Sequence, residues 1–309
     1  MIESAFLSID LPAYIVATLA GLSGGLVGTL LLLKKQTMMA DALSHSILPG
    51  LALAYIITGT MGTLALFSGA LASCLFAGAL IYLIQRITTL NANMAMGITL
   101  TSMFALGVIL LELFIGGRVH LDTEHALYGA LELIYWPDPG NIDTMPEQIL
   151  TLSLVTILVM LIIGLGHQYL KLALFDSHYA NLQGLSELKI SALILLLTVL
   201  VAVASFDAVG SILVLALFAC PPACARMVTD KFSRQIIWSG LIGAACGIGG
   251  YFTGAVLPPL LGFENSLSAA GSIAVLAGAT QLCFILFAPE YGVLAQIVHK
   301  DKKSKNMGQ

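Results

Sequence analysis

Long apolar runs follow one another through this sequence and constrain its fold more than any other feature. A run of about 20 apolar residues can cross the hydrocarbon core of a bilayer as a helix. Such runs lie near residues 11–33, 40–58, 62–85, 94–115, 147–169, 189–206, 208–228, 235–257 and 268–288. Charged residues make up only 10% of the chain, against about 25% in soluble domains. The sequence therefore predicts an all-α, polytopic transmembrane helical bundle of about nine segments, or eight if one short segment is re-entrant.

The basic residues are distributed unevenly between the loops. If the first loop is cytoplasmic, Arg118 alone among the 13 Lys and Arg residues lies outside, and carboxylates collect on that side instead. Cytoplasmic loops of membrane proteins carry an excess of Lys and Arg. We therefore expect the N-terminus outside, the C-terminus inside, an extracytoplasmic loop at 116–146 and a basic cytoplasmic tail at 296–309. No polar block reaches domain size, so we expect 1–309 to form a single transmembrane domain.

Two ionisable residues open the second apolar run. Asp41 and His45 are four residues apart and so share one face of a helix. A charged group at bilayer depth costs about 2.5–3.5 kcal/mol on insertion scales, so such a group usually has a function. Carboxylate oxygen and imidazole nitrogen suit divalent first-row metals. Pro49 also frees the carbonyl of His45 from its helical hydrogen bond. The alternative is that Asp41 caps the helix and His45 packs against a neighbour.

The run from 208 to 228 contains two adjacent prolines and two cysteines. Pro221 and Pro222 remove the helical hydrogen bonds of two carbonyls, so we expect a kink or break there. Cys220 and Cys224 share a helix face, so they are candidates for metal ligands, although weaker ones than Asp41 and His45. Small buried cysteines near a kink are the commoner case. Just before this run, Asp207 is expected to cap the helix at the outer surface.

Glycines recur at four-residue spacing in the first and eighth runs, as in Gly21 with Gly25 and Gly243 with Gly247. In lipid this spacing lets helix backbones approach closely. It predicts a compact bundle and leaves open a contact between subunits.

Histidines and carboxylates also cluster in the outer loop. His120, Asp122, Glu124 and His125 form a weak candidate for a metal entry site. Their spacing matches no standard metal site. An amphipathic helix at the membrane interface, with Tyr135 and Trp136 at headgroup level in the same loop, explains the segment about as well.

The largest inner loop predicts a short amphipathic helix. Asp176 can cap this helix and Gly184 can end it, while Phe175, Tyr179 and Leu182 fall on one face. Such a helix at 175–185 is suited to dock a cytoplasmic partner, because the chain has no soluble domain of its own. The alternative is an ordinary turn on the membrane surface.

Several motifs of membrane enzymes and ATPases are absent from the sequence. It contains no GxxxxGK[ST], no HExxH and no DDxxD, so it has neither a phosphate-binding loop nor the metal-binding motif of a common membrane hydrolase or prenyl transferase. The five cysteines all lie in apolar runs, which argues against a disulfide framework. We therefore expect a protein that is not an enzyme and holds no permanent cofactor.

Four blocks of the sequence together resemble one family, the membrane subunits of bacterial ABC-type importers for manganese, zinc and iron. The blocks are KKQTMMADALSHSILPGLALAY at 34–55, FDSHYANLQGL at 175–185, VGSILVLALFACPPACARMVTDKF at 209–232 and AGATQLCFILFAPEYGVLA at 277–295. Two departures stand out: CPPAC replaces a more apolar stretch around one proline, and Ser177–His178 replaces a common Pro–Glu pair.

The resemblance implies a function and a set of partners. It places Asp41 and His45 on the path of the transported metal, since they match the D-A-L-S-H motif. It makes 175–185 the coupling helix that seats in the ATPase. The partners implied are a dimer of cytoplasmic ABC ATPases, a second permease and an extracytoplasmic metal-binding protein, in the bacterial cytoplasmic membrane and without nucleic acid. A self-sufficient metal channel or proton-coupled carrier is the alternative function.

Overall fold

Helices make up nearly all of the part of the chain that the computed structural model describes. It describes residues 6–60, 62–115, 129, 131–139, 144–260, 262, 267–288 and 292. The α-helices are, in order, α1 (Leu11–Leu33), α2 (Met38–Thr58), α3 (Thr63–Ile87), α4 (Ala92–Leu110), α5 (Glu147–Phe175), α6 (Ser177–Leu182), α7 (Glu187–Val228), α8 (Phe232–Tyr251), α9 (Leu257–Leu260) and α10 (Ala269–Phe287). Single π-helical turns, Leu111–Ile115 and Phe252–Val256, extend α4 and α8.

Eight of the helices in the described ranges are long and apolar enough to cross a membrane. This confirms the all-α, polytopic bundle. The longest of them, α7, has 42 residues. A straight helix of that length would span about 63 Å, twice the thickness of the hydrocarbon core.

Contacts with α1 show that α7 doubles back on itself. Lys34 Nζ donates to Ser191 Oγ at 2.5 Å, and Gly28 packs against Pro222. Lys34 follows Gly28 by only six positions, so the residues that they contact, Ser191 and Pro222, lie within about 20 Å of each other. A straight helix would hold Ser191 and Pro222 about 46 Å apart. The two arms of α7, 187–209 and 211–228, are therefore antiparallel.

The reversal occurs at Gly210. Its backbone has φ 75° and ψ 169°, a conformation open only to glycine without strain. Both segments predicted between 189 and 228 are thus present as the arms of α7, so the described helices make nine passes. We call the end of the bundle that carries residues 34–37 the link end; the reversal lies at the opposite end.

The expected break at the two prolines is wrong. The second arm stays helical through Pro221 and Pro222, because the proline φ is compatible with a helix. The carbonyls that these prolines free lie against glycines of α1. A Cβ on Gly28 would lie 2.3 Å from the oxygen of Phe218, so only a glycine lets α1 approach this carbonyl.

Helices α1 and α8 meet backbone to backbone along a contact that we call the glycine seam. A Cβ on Gly243 would lie 2.0 Å from the Gly21 oxygen, and one on Gly25 would lie 2.4 Å from the Ser239 oxygen. Ser239 Oγ donates to the Gly25 carbonyl at 2.6 Å. These glycines therefore join helices within one chain and do not form a contact between subunits.

Side-chain hydrogen bonds hold the end of the bundle opposite the link end. Tyr251 Oη donates to Asp10 Oδ1 at 2.9 Å, which joins the ends of α8 and α1. The Ala269 amide at the start of α10 donates to Glu132. Asp207 is bonded to Gln148 of α5 and lies within α7, so the expectation that it caps a helix is wrong.

Candidate functional site

The link between α1 and α2 fixes where the Asp41–His45 pair begins. The Gln36 amide donates to the Leu31 carbonyl at 2.9 Å and the Lys35 amide to the Leu32 carbonyl at 3.0 Å, so the end of α1 is closed by backbone hydrogen bonds. Lys35 has φ 57°, in the left-handed region that glycine usually fills. The Lys34 amine is tied to Ser191 of α7. Burial lowers the pKa of this amine, and the Glu187 carboxylate opposes the shift.

Helix α3 holds α2 on the side away from the pair. Ser73 Oγ donates to the Ser46 carbonyl at 2.7 Å, and Cys74 Sγ donates to the Leu43 carbonyl at 3.3 Å. Gly50 packs so closely that a Cβ there would lie 2.4 Å from the Gly69 oxygen. These contacts fix the rotation of α2 about its axis.

The Asp41–His45 pair lies on the face of α2 that remains uncovered. Asp41 Oδ1 and His45 Nε2 are 3.4 Å apart, as the four-residue spacing predicts, and their side chains are 26% and 25% exposed. The residues between them, Ala42, Leu43 and Ser44, are buried. The pair is therefore partly exposed, on a side of α2 that α3 does not cover.

Helix α4 packs beside the pair. The rings of His45 and Phe104 meet edge to face, with centroids 5.3 Å apart and planes at 82°. One turn further on, Gly107 packs against Pro49, so α2 and α4 run parallel. Phe104 lies in the middle of the span Ala92–Phe114, whereas Asp41 lies in the first turn of α2. The pair therefore lies within the spanning helices, between the link end and their middle.

Sequence reasoning missed Phe104, which packs on the imidazole from another helix. An edge-to-face contact between rings contributes about 0.5–1.5 kcal/mol and here restricts the orientation of the His45 ring. The only signal in the sequence is an aromatic residue at mid-span, and many lipid-facing residues share that property.

The described part of the chain does not by itself form a complete metal site. In the described ranges no group of three or more His, Cys, Asp or Glu side chains could hold a metal ion. Four ligands are usual for zinc and more for hard divalent ions. The uncovered face leaves room for further ligands to approach the pair from outside this chain.

Cys220 and Cys224 lie elsewhere in the bundle. They lie near Cys246 of α8, and Cys224 also lies near Cys283 of α10. All of these thiols are free. The cluster lies where the second arm of α7 meets α8 and α10, whereas α2 and α4 hold the pair.

The loop cluster, His120, Asp122, Glu124 and His125, lies outside the described residues, as does the tail at 296–309. Both therefore stay predictions. Leu131 and Ile134, at the described end of that loop, are buried against the bundle.

The short helix α6 forms where the sequence predicts it, at the link end of the bundle. Asp176 Oδ1 accepts from the Tyr179 amide at 2.9 Å and so caps the helix. Gly184 has φ 81° and ends it. Phe175, Tyr179 and Leu182 are 57%, 49% and 83% exposed. We call these three side chains the docking face, an uncovered apolar surface beside the membrane-spanning helices.

Comparison with known proteins assigns the family. The model of the family described as ABC 3 transport family matches residues 8–288. The chain belongs to this family. The matched region includes α1 to α10, and with them the Asp41–His45 pair and the docking face.

Several known proteins align with about nine tenths of this chain. The manganese transport system membrane protein MntD of Bacillus subtilis is 35% identical over 92% of this chain and 94% of its own length. The zinc transport system membrane protein TroD of Treponema pallidum is 29% identical over 91% of this chain and 74% of its own. In the structure of PsaBC from Streptococcus pneumoniae in complex with a Fab, one chain matches with a TM-score of 0.73 and 28% identity, covering 91% of this chain and 92% of that one.

Proposed function

We propose that this chain is the permease subunit of an ATP-driven importer that carries a divalent transition metal across the bacterial cytoplasmic membrane. The observation that carries the proposal is the partly exposed Asp41–His45 pair within a membrane-spanning helix of a member of the ABC 3 transport family. Ionisable groups inside a membrane are rare and mark substrate pathways. Carboxylate and imidazole together suit Mn²⁺, Fe²⁺ and Zn²⁺. The names of the manganese and zinc relatives support the same class of cargo.

A second permease, identical or related, would complete the site. The exposed face of α2 and α4 carries one carboxylate and one imidazole, so two facing copies bring together two of each. Four such ligands form a site of ordinary coordination number for a first-row metal. Transport requires that this site bind strongly enough to select and weakly enough to release.

The contact between Asp41 and His45 brings two ligand atoms together. His45 Nε2 faces Asp41 Oδ1 at 3.4 Å. A metal ion bound there would need an imidazole nitrogen without its hydrogen and an ionised carboxylate.

The energy for transport would come from separate subunits. The sequence has no phosphate-binding loop of its own. The docking face is apolar and exposed at the link end of the bundle. We place a dimer of cytoplasmic ABC ATPases on this face and an extracytoplasmic metal-binding protein at the opposite end. His120, Asp122 and His125 stay proposed entry residues beside that protein, and Cys220 and Cys224 stay weaker candidates for the pathway.

The test is metal uptake by the complex in liposomes. The permease is co-expressed with its ATPase, purified and reconstituted, and uptake of Mn²⁺, Zn²⁺ and Fe²⁺ is measured with ATP and with a non-hydrolysable analogue. We expect ATP-dependent uptake of at least one of these ions. Equal uptake with no ATPase present would overturn the proposal in favour of a self-sufficient channel or proton-coupled carrier.

A further inference from the structure

Phe232, the first residue of α8, is clamped between two aromatic side chains of α5. Its side chain is 3% exposed. The His167 ring lies 5.1 Å away at 37°, and the Phe175 ring lies 6.1 Å away at 80°. Ser233 Oγ is 2.8 Å from His167 Nε2. These contacts connect α5 to α8 at the link end of the bundle.

Phe175 belongs to this clamp and to the docking face at once. It is the last residue of α5, and Asp176 directly after it caps α6. Its ring packs on Phe232, yet more than half of its side chain is exposed with the rest of the docking face. A movement of α6 therefore reaches Phe232 through one side chain.

The glycine seam makes α1 follow α8. Backbone atoms of the two helices touch at Gly21 and Gly243, and Ser239 is bonded to the Gly25 carbonyl. Close-packed interfaces without compressible side chains transmit displacement instead of absorbing it. Beyond α1, the hydrogen-bonded link at 34–37 leads directly to Asp41.

We propose that Phe232 is the joint through which movement of the docking helix reaches the metal-binding pair. The order of transmission is docking face, Phe175, Phe232, α8, the glycine seam, α1 and the link to Asp41. This inference rests on the proposed function. It makes Phe232 a positioning residue, since it touches neither the metal nor the ATPase.

The test compares uptake with ATP hydrolysis in the reconstituted complex. We define the coupling ratio as metal ions taken up per ATP hydrolysed. Phe232→Ala should lower this ratio about tenfold or more, while the ATPase still co-purifies and still hydrolyses ATP. Ile237→Ala, on the same helix and 60% exposed, is the matched control and should leave the ratio unchanged. If Phe232→Ala fails to assemble, Phe232→Leu replaces it, with an expected fall of about threefold.

A double-mutant cycle separates a joint from a merely structural role. If Phe175 and Phe232 act in one path, the coupling ratio of the double variant should equal that of the worse single variant. Losses that multiply, or a wild-type ratio in both single variants, would overturn the joint. Wild-type uptake and its loss in Asp41→Asn report on the proposed function independently, so failure of the joint leaves that function standing.

Discussion

The glycine seam and the face of α2 and α4 that carries the Asp41–His45 pair differ in how far one chain covers them. Along the seam, α1 and α8 touch at backbone distance, and Ser239 donates to a carbonyl across it. On the other side of the bundle, α2 and α4 leave Asp41, His45 and Phe104 partly exposed. Folding of one chain covers the seam, whereas the face of α2 and α4 stays partly exposed.

This difference separates the residues that build the bundle from those that act in it. Positions along the seam have room only for glycine or, at Ser239, for serine. Larger substitutions there should therefore impair folding. Face positions have room, so substitutions there should act on transport while the fold remains. Four predictions test the distinction, from the largest expected effect to the smallest.

The largest effect should follow from filling the seam. Gly243→Leu would drive carbon atoms into the Gly21 carbonyl, 2.0 Å from where the new Cβ would lie. Overpacking usually costs about 1–3 kcal/mol when a core can adjust, and here the obstacle is backbone. We expect little or no monodisperse protein in detergent size-exclusion chromatography.

The control for the seam is another glycine in a spanning helix. Gly278 of α10 has no atom within 4 Å of its Cβ position, so Gly278→Leu should yield protein as the wild type does. Equal yields of both leucine variants would show that the seam is not close-packed.

The second effect should appear in transport alone. Asp41→Asn removes the charge and keeps the shape, and His45→Ala removes the imidazole. We expect each to lower metal uptake about 100-fold or more with normal assembly, because the proposed site in the spanning helix loses a ligand. The matched control is Asp230→Asn, which breaks a pair of the same spacing, Arg226–Asp230 at 3.1 Å. Exposed pairs contribute about 0–1 kcal/mol, so uptake should change less than about twofold; more than a tenth of normal uptake in Asp41→Asn would exclude it as a ligand.

A smaller effect should come from the ring that orients His45. Phe104→Leu removes an edge-to-face contact worth about 0.5–1.5 kcal/mol, which corresponds to about 2- to 13-fold in an equilibrium constant. The metal concentration for half-maximal uptake should rise by such a factor at nearly constant maximal rate. Phe76→Leu, at a 60% exposed position of α3, should change neither quantity. A fall in maximal rate alone would argue that Phe104 acts on the conformational change.

The smallest effect should be a gain in stability at the link. Lys35→Gly removes a left-handed strain of about 1–2 kcal/mol, partly offset by the backbone entropy of glycine. We expect the apparent melting temperature of the detergent-solubilised protein to rise by a degree or two at unchanged uptake. Lys171→Gly, in the helical backbone of α5, should lower it instead. A fall in both variants would mean that the Lys35 side chain stabilises the link through its own contacts.

Hydropathy was sufficient to predict the spanning segments, because crossing a bilayer depends on local composition. It even separated 189–206 from 208–228, which the fold joins as the arms of α7. The further break expected at the two prolines was wrong. The helix continues through them, and Gly28 of a distant helix packs against the freed carbonyl of Phe218. Whether a proline breaks a helix depends on its neighbours, and these are not adjacent in sequence.

The candidate site was predicted where its residues are close in sequence. The spacing of Asp41 and His45 sets their contact, and Asp176 with Gly184 delimits α6. Phe104 and Phe232 were missed because their roles come from packing against other helices. The glycine pairs were recognised as packing motifs, but the pattern gave no partner, so a contact within the chain could not be told from one between subunits.

The left-handed Gly210 has a consequence for the sidedness of the chain. Its reversal turns one long helix into two passes without a loop between them, so the described helices make an odd number of passes. An even number would return the end of α10 to the end of the bundle at which α1 begins, whereas an odd number brings it to the opposite end. The backbone dihedral angles of one residue therefore decide at which end of the bundle α10 finishes.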